Sequence, residues 1–437
     1  MAWWPWLMVQ LVVSCCAGLV AVLWWKWATK PHIDAPGPPT LPIIGNILDL
    51  LHLPLTLRKM FELHRQYGDL TRLYVGPMLL VLVAHPDDVQ HILLTSKLVD
   101  RGTICTNAMR MFLGDGLVTI DASRWKVHRK LINPTFHSEI LQGFLDAFHD
   151  GGLFVCERFA RTRGAATEVH PPVLLAAIRN FFSTVIGMNP ELFIADTFPE
   201  EEVSASVSYG VSIVQKMIFR PWMQSKFLLQ LTSKGRGLLR SAKMLHNRAL
   251  KCIAIRSAAT EDGPTKTRQR LLEALIKPGG QTAIPLDEVQ GEETLRLFPT
   301  VPMLPRVATE DIWLSGGSAE RVSVPKGTLL FVLPFLTHRL PQFFQDPQRF
   351  DPSRFLEDRV GKEHACSYLP FGLGARNCVG SQYGRLQLKV YLADILRRFR
   401  FLPCGRREDL EDSALSFSLS PIKPVRVSCV PVDGPKA

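Results

Sequence analysis

The sequence predicts a mostly helical protein with a small β region, preceded by one N-terminal helix that crosses a membrane. Apolar residues recur at helical spacing over long stretches, most clearly over 144–160 and 173–188. The candidate strands are few and short, and turn residues bound them. The chain opens on an uncharged, largely apolar run from Trp3 to Trp25. With 437 residues, 46% of them hydrophobic and 21% charged, it has the length for a large core and the composition of a globular protein.

The N-terminal run is predicted to be a single membrane anchor over residues 1–30. It is slightly longer than the roughly 20 residues that a helix needs to cross a bilayer, and tryptophans stand at both of its ends. Lys26 and Lys30 follow it, and no lysine or arginine precedes it. Positive-inside bias therefore predicts that the rest of the chain is cytosolic. The alternative, a cleaved signal peptide, would be shorter, with a basic start and a small-residue cleavage site.

A proline-rich hinge is predicted over residues 31–50, before a globular body over 51–437. The prolines from Pro36 to Pro39, followed by Pro42, favour a stiff extended spacer. The net charge of +11 suits an anionic membrane surface or an acidic partner. No arginine-rich tract, zinc-finger spacing or stacking motif indicates binding to nucleic acid.

The elements of the body are predicted from their local patterns. Helices are expected over 55–67 and 85–94, and strands over 70–75, 78–83, 311–314 and 328–333. Asp121 is predicted to cap a helix that ends at Ile132. Residues 101–116 lack a clear period and are predicted to form a loop.

The segment from Phe371 to Gly380 surrounds one cysteine, Cys378, with glycines and a basic residue. An amphipathic helix follows, and its predicted buried stripe contains Tyr383, Leu386, Val390, Ala393 and Leu396. The positive end of a helix dipole favours thiolate over thiol. Glycines let a flat ligand approach the backbone, and Arg376 is placed to meet an acidic group at the edge of that ligand.

Such a cysteine is either a nucleophile or a metal ligand. A nucleophile needs a nearby base, and the segment holds neither histidine nor carboxylate. Zinc needs further close ligands, and His364 and Cys366 are poorly spaced for a closed site. A single thiolate in a glycine-rich loop suits the axial position on a haem iron.

The pattern F-x-x-G-x-R-x-C-x-G at this place resembles the haem-binding signature of the cytochrome P450 family, the haem-thiolate monooxygenases. The resemblance implies haem as the cofactor and Cys378 as the catalytic thiolate and iron ligand. It also implies that Phe371, Gly374, Arg376 and Gly380 surround the haem. The alternative is a buried structural cysteine in front of a helix.

Two further segments match the family's contacts to the haem propionates. Trp125 and Arg129 are four residues apart, so they share a helix face and form a suitable pair for a carboxylate. Taken alone, they would be interpreted as a surface tryptophan beside a solvated arginine. Their W-x-x-x-R spacing resembles the propionate-binding helix of the family, and the run 115–144 resembles its family 4 branch of fatty-acid hydroxylases. Arg306, after Pro305, matches another propionate contact.

A structural network is implied by Glu293 and Arg296, which form the E-x-x-R pattern, together with Arg354. Taken alone, Glu293 and Arg296 are compatible with a surface pair worth a few tenths of a kcal/mol. In the family, however, this helix is buried and binds an arginine from a later loop, which matches Arg354. The three residues are therefore predicted to form an ion network behind the cysteine loop.

One part of the family pattern is missing. Residues 286–290 resemble the start of the family's longest helix, yet the chain passes from Gln290 directly to Gly291 and the E-x-x-R helix. The acid–threonine motif [AG]-G-x-[DE]-T-[ST] of that helix, which delivers protons during oxygen activation in the family, occurs nowhere in the sequence. Helices are therefore expected to be absent between residues 290 and 291. A skipped exon or a gene-model error explains this absence better than gradual loss does.

The resemblance implies a monooxygenase of the endoplasmic reticulum membrane that oxidises a fatty acid, a hormone-like lipid or a xenobiotic. Its electrons would come from an NADPH-dependent reductase, an acidic flavoprotein. Lys389, Arg397 and Arg398 are candidate docking residues, or else solvated helix charges. Without the proton relay this chain is expected to be poorly active or inactive. The alternatives are a non-catalytic haem-binding splice product and a haem-dependent peroxide isomerase.

Overall fold

The computed structural model describes residues 4–51, 57–96, 98–136, 138–187, 200–218, 220–258, 286–356, 364–406, 408–411, 413–415 and 418–432. Most of these residues are helical, as predicted. The α-helices of the described residues are α1 (Trp4–Ala28), α2 (Ile47–Leu51), α3 (Leu57–Tyr67), α4 (Pro86–Gln90), α5 (Thr103–Leu113), α6 (Ala122–Ile132), α7 (Ser138–Gln142), α8 (Leu145–Arg161), α9 (His170–Phe181), α10 (Glu200–Ile218), α11 (Lys226–Leu231), α12 (Ser233–Ala258), α13 (Leu286–Leu297), α14 (Pro334–Thr337), α15 (Ser381–Arg398) and α16 (Glu408–Glu411). Wider π-helical turns continue α4 and α9, over His91–Thr95 and Phe182–Ile186.

The β region is small, also as predicted. Its strands are β1 (Leu70–Val75), β2 (Met78–Val83), β3 (Thr167–Glu168), β4 (Leu304–Val307), β5 (Ile312–Leu314), β6 (Val322–Val324), β7 (Leu329–Val332), β8 (Phe399–Pro403), β9 (Ser413–Leu415), β10 (Leu419–Pro421) and β11 (Arg426–Pro431). The main sheet has the order β1-β2-β7-β4. Its first two strands form the predicted hairpin, with Leu70 opposite Val83, and β2 pairs with β7 in parallel. A second sheet has the order β3-β11-β8, and β5–β6 and β9–β10 form separate pairs.

The N-terminal helix α1 contains one segment, Trp6–Ala28, that is long and apolar enough to cross a membrane. The hinge after it is docked on the body. Ile33 and Ala35 are buried in a core that they share with the main sheet. The Arg72 backbone N–H donates to the Pro36 carbonyl at 2.8 Å. The prolines therefore stiffen a segment that the sheet edge also fixes.

The predicted loop at residues 101–116 is wrong, because Thr103–Leu113 forms helix α5. Its buried apolar residues have helical spacing, and they are Cys105, Ala108, Met109 and Phe112. They join the largest core, which also takes side chains from α10, α12 and the main sheet. Glycines with positive φ stand at both ends of α5, at Gly102 and Gly114. These two glycines therefore mark the start and the end of a helix, not a loop.

The buried face of α15 also differs from the predicted stripe. Leu396 is exposed, whereas Tyr391, Asp394 and Ile395 are buried against α8. The two polar side chains are tolerated there because they have partners. His149 Nδ1 lies 2.9 Å from the Asp394 carboxylate, and Asn180 donates to the Tyr391 hydroxyl at 2.8 Å. The spacing of apolar residues alone does not predict a buried helix face that includes polar side chains.

Helix α13 runs without a break from Leu286 to Leu297. It therefore contains both the residues that resemble the start of the family's longest helix and the E-x-x-R pattern. Residues 290 and 291, between which helices are expected to be absent, are consecutive helical residues.

Candidate functional site

The loop from Phe371 to Gly380 is held in shape by its backbone. Gly372 and Gly374 adopt φ values of 70° and 71°, which favour glycine. A side chain at Gly374 would overlap the carbonyl oxygen of Leu93. The Cys378 backbone N–H donates to the Phe371 carbonyl at 2.9 Å. The turn leaves Cys378 exposed, three residues ahead of the first residue of α15.

Arg376 is buried, and it ties this loop to the segment before α6. Its guanidinium donates to the carbonyls of Val99 at 3.1 Å, Leu117 at 3.3 Å and Ile120 at 3.4 Å. It also stacks on Trp125, with 4.3 Å between Cζ and the ring centroid. Burial, followed by repulsion from Arg101, lowers the pKa of Arg376 to about 10.

Trp125 and Arg129 both reach the cysteine loop, but they do not form the side-by-side pair that their spacing suggests. Trp125 lies under Arg376, whereas Arg129 binds Asn377, the residue before Cys378. Arg129 donates to the Asn377 backbone carbonyl and to its side-chain Oδ1, each at 2.8 Å. Burial lowers the pKa of Arg129, and the Cys378 sulfur acts in the opposite direction, so the guanidinium is within electrostatic reach of the sulfur. Asp121 caps α6 as predicted, accepting from the backbone of Ser123 and Arg124.

Arg306 lies on β4 and is almost completely buried. It donates to the Pro305 carbonyl at 2.7 Å. Burial lowers its pKa to about 9, and repulsion from Arg101 and Arg376 adds to the effect. These neighbours show that Arg306 belongs to the same cluster of cations as Arg376.

Arg101 is a further member of this cluster that the sequence analysis missed. It donates to the Val118 carbonyl at 3.1 Å, while its Nε atom is buried without a hydrogen-bond partner. Burial lowers the pKa of Arg101, and the sulfurs of Cys105 and Cys378 oppose that effect. The signal that could have identified Arg101 is its position directly before Gly102. That glycine has a φ of 80° and caps the start of α5.

Arg101, Arg129, Arg306 and Arg376 together, which we call the arginine cluster, make this site suited to an anion. Buried guanidinium groups repel one another, and their lowered pKa values show that positive charge is destabilised there. A bound dianion would relieve that repulsion and would provide an acceptor for the buried Arg101 Nε. A thiol beside such a cluster fits haem, whose two propionates are the anions and whose iron accepts a thiolate.

The predicted ion network behind the loop is assembled. Glu293 and Arg296 are fully buried, and both Glu293 oxygens accept from Arg296, at 2.6 and 2.7 Å. The Asp351 backbone N–H donates to Glu293 at 2.9 Å. Arg354 lies farther away, with its Nε atom 3.7 Å from Glu293, which is an ion pair but too long for a hydrogen bond. Arg354 is also anchored to the Asp346 carbonyl at 3.1 Å.

His338 connects this network to the cysteine loop, and the sequence analysis missed it. Its Nε2 accepts from the Leu369 backbone N–H at 2.8 Å, so its Nδ1 carries the proton and donates to the Arg296 carbonyl at 3.0 Å. Complete burial lowers the pKa of His338 to about 3 and keeps the ring neutral. Nothing in the local sequence distinguishes it from the other eleven of the twelve histidines.

A second contact between α13 and the loop runs through Glu292. Arg385 of α15 forms an ion pair with the Glu292 carboxylate, and the Tyr368 hydroxyl lies 2.6 Å from it. The Arg385 guanidinium also stands over the Phe371 ring, 5.1 Å from its centroid. The E-x-x-R helix therefore supports both ends of the loop, through Glu292 and through Arg296.

Comparison with known proteins agrees with this geometry. The family model described as Cytochrome P450 matches residues 35–290 and 281–428. Relatives include cytochrome P450 4c3 of Drosophila melanogaster, 25% identical with 86% of this chain and 85% of the relative covered. Cytochrome P450 4V2 of Rattus norvegicus is also 25% identical, with 78% of each chain covered. A crystal structure of a cytochrome P450 haem domain superposes with a TM-score of 0.74 at 17% identity, covering 91% of this chain and 98% of that one.

The alignments also show that this chain lacks residues that a relative has. The two segments matched by the family model meet at residues 281–290, immediately before the E-x-x-R pattern. The alignment with cytochrome P450 4c3 extends over 465 positions, more than the 437 residues of the whole chain, although it includes only 86% of them. That relative therefore has residues without a counterpart here.

Proposed function

Because this chain belongs to the cytochrome P450 family, we propose that it is a haem-thiolate protein whose iron ligand is Cys378 and whose haem propionates are held by the arginine cluster. The observation that carries this proposal is a cluster of four arginines beside one exposed cysteine, with Arg101 and Arg129 within electrostatic reach of its sulfur. As a member of this family, the chain belongs to the class of haem monooxygenases, which use a redox partner and an apolar substrate.

In this assignment the residues of the chain bind and orient the cofactor. When bound, the haem supplies an iron that activates dioxygen for insertion of one oxygen atom into a substrate. Arg129 and Arg376 fix the loop around Cys378, so they set the position of the sulfur as well as neutralise the propionates. Gly374 leaves no room for a side chain beside the Leu93 carbonyl, Gly380 lies next to Phe136, and the Phe371 ring lies beside Gly384.

The electron donor is proposed to be an acidic NADPH-dependent reductase. Of the three candidate docking residues on α15, Arg398 is already paired, because it lies 3.3 Å from the buried Asp394 carboxylate. Arg397 is exposed, and Lys389 is half-buried. The exposed Arg397 is therefore the strongest of the three docking candidates.

The substrate is proposed to be a fatty acid or a similar lipid, and the location the endoplasmic reticulum membrane. Relatives named as cytochrome P450 4 members agree with the family 4 resemblance on which this substrate class rests. The apolar helix α1 supports a membrane location, with Lys26 and Lys30 on the cytosolic side.

The chain is further proposed to lack the oxygen-side proton relay and therefore to be a poor or inactive monooxygenase. Three observations support a deletion between residues 290 and 291: the missing acid–threonine motif, the unbroken helix α13 and the surplus positions in the relatives. The arginine cluster lies outside that gap, so haem binding is expected to survive. A non-catalytic haem-binding product is thus the second candidate, and the continuity of α13 favours it.

The test compares this chain with a version that carries the corresponding segment of cytochrome P450 4c3 between Gln290 and Gly291. Both are expressed with a reductase and given a panel of fatty acids. Since a general acid contributes about 10²–10⁴ in rate, we expect this chain to hydroxylate at least about a hundredfold more slowly than the restored version. Both should show the thiolate-type spectrum of the reduced carbon-monoxide complex. Equal hydroxylation rates would overturn the proposed inactivity, and absence of that spectrum from both would overturn the haem assignment.

A further inference from the structure

One carboxylate, that of Glu292, connects the two segments that flank the cysteine loop. The Arg385 guanidinium forms an ion pair with it. The Tyr368 hydroxyl lies 2.6 Å from the same carboxylate and 2.9 Å from the Glu292 backbone carbonyl. Tyr368 comes three residues before Phe371, where the loop begins, and Arg385 comes seven residues after Cys378. We call Glu292, Tyr368 and Arg385 the Glu292 clamp.

The Tyr368 side of the clamp is fixed by packing. Its ring stands against the rings of Phe355 and His338, with 4.9 and 5.2 Å between the centroids. Burial raises the pKa of Tyr368, and repulsion from the Glu292 carboxylate adds to the effect, so the hydroxyl keeps its proton and acts as a donor. Glu292 is therefore held by a packed donor, and it in turn fixes Arg385.

Arg385 connects the clamp to the residue that shapes the turn at Cys378. Its guanidinium stands over the Phe371 ring, with 5.1 Å between Cζ and the ring centroid. The Phe371 backbone carbonyl accepts from the Cys378 backbone N–H at 2.9 Å. Movement of Phe371 would therefore alter the hydrogen bond that closes the loop on the cysteine.

From this geometry we infer that Arg385 and Glu292 are positioning residues for the Cys378 sulfur. They act through Phe371, because the carboxylate fixes the guanidinium, the guanidinium fixes the ring, and the carbonyl of the same residue binds the Cys378 N–H. The inference rests on the proposed role of Cys378 as the iron ligand. It gives the middle of α13 a part in orienting that ligand.

The other interpretation of Glu292 and Arg385 is a surface ion pair, which contributes little to stability. The burial of the pair argues against it, since the Glu292 side chain is only 13% exposed and the Arg385 side chain 38%. A cation on the face of an aromatic ring also stabilises that arrangement in addition to the ion pair. Loss of Arg385 should therefore release Phe371, whereas loss of an exposed pair elsewhere should not.

The first experiment measures amide hydrogen exchange of the full chain in peptides that cover residues 371–380. In Arg385→Gln the loop should exchange about two- to fivefold faster, which is the change in equilibrium expected from loss of one cation–π contact. Glu292→Gln should behave in the same way, and Arg385→Lys, which keeps a cation, should give an intermediate rate. Glu168→Gln is the matched control, because it breaks the exposed pair with Arg426 between strands β3 and β11.

The second experiment records reduced carbon-monoxide spectra of the haem-loaded chain, normalised to haem content. The ratio of the red-shifted, thiolate-type band to the unshifted band should fall about two- to fivefold in Arg385→Gln and Glu292→Gln. It should stay unchanged in Glu168→Gln. A residue with a purely general role in stability would lower the haem content instead of this ratio.

Loop exchange in Arg385→Gln equal to that in the control would overturn the inference, and so would faster exchange spread evenly over the chain. Equal rates for Arg385→Lys and Arg385→Gln would overturn the role of the cation. If a glutamine variant does not fold, Tyr368→Phe supplies the same comparison, because it removes only the hydroxyl that holds Glu292. Absence of the thiolate-type band from the unaltered chain would overturn the proposed function, while the exchange measurement needs no haem and still decides the role of the clamp.

Discussion

The two halves of helix α13 differ in whether this chain contains the residues expected to pack around them. The half from Glu292 to Leu297 contacts Tyr368, just before the cysteine loop, and its buried charges have partners. The half from Leu286 to Gln290 precedes the point at which helices are proposed to be missing. The contacts of the C-terminal half come from three residues that all follow residue 290 in the chain: His338, Asp351 and Tyr368. A deletion at that point therefore leaves the support of the cysteine intact while it removes the helix expected on the oxygen side.

The largest expected effect concerns the cysteine that this helix supports: Cys378→Ala should remove the iron ligand. The protein that still binds haem should lose the red-shifted Soret band of the reduced carbon-monoxide complex, because that band requires an axial thiolate. The measurement is the reduced carbon-monoxide difference spectrum. Cys404→Ala is the matched control, since Cys404 is exposed too and lies outside the loop. Survival of the band in the Cys378 variant would show that another group binds the iron.

The next effect concerns the buried pair behind the loop. Glu293→Gln keeps the shape of the side chain but leaves the fully buried Arg296 guanidinium without its counter-charge. Breaking one partner of a buried pair costs about 3–5 kcal/mol, so the free energy of unfolding should fall by that amount. Urea unfolding of the haem-free chain followed by circular dichroism measures it. The exposed Glu310→Gln is the control, and similar midpoints for the two variants would contradict a structural role of the pair.

The smallest effect is a pH dependence that comes from His338. Its pKa is about 3 in the folded protein and about 6.5 when unfolded, so below pH 6.5 the unfolded chain binds a proton that the folded chain does not. Stability from this group is complete above pH 6.5 and is lost as the pH falls toward 3. At about 1.4 kcal/mol per pH unit, the loss between pH 6.5 and pH 5 is about 2 kcal/mol.

The check is unfolding at both pH values for the wild-type chain and for His338→Asn, which lacks the titrating ring. The asparagine variant should show about 2 kcal/mol less destabilisation on acidification than the wild-type chain. Equal pH dependence in the two proteins would mean that His338 does not carry this effect.

The local patterns determined much of the fold in advance. The hairpin of β1 and β2, the Asp121 cap and the pairing of Glu293 with Arg296 each depend on residues close in the sequence. Spacing within one helix or across one turn fixes which side chains meet, so these contacts could be predicted without the structure. The same locality made the cysteine loop recognisable as a motif.

Only the tertiary structure decided which distant groups complete the site. Arg129 binds Asn377, which is 248 residues away, and Arg376 stacks on Trp125 of the distant helix α6. Arg101 and His338 gain their roles from burial against segments with which they share no spacing. Burial changes the free energy of a charged or polar side chain by kilocalories, and it depends on packing between elements that no local pattern encodes.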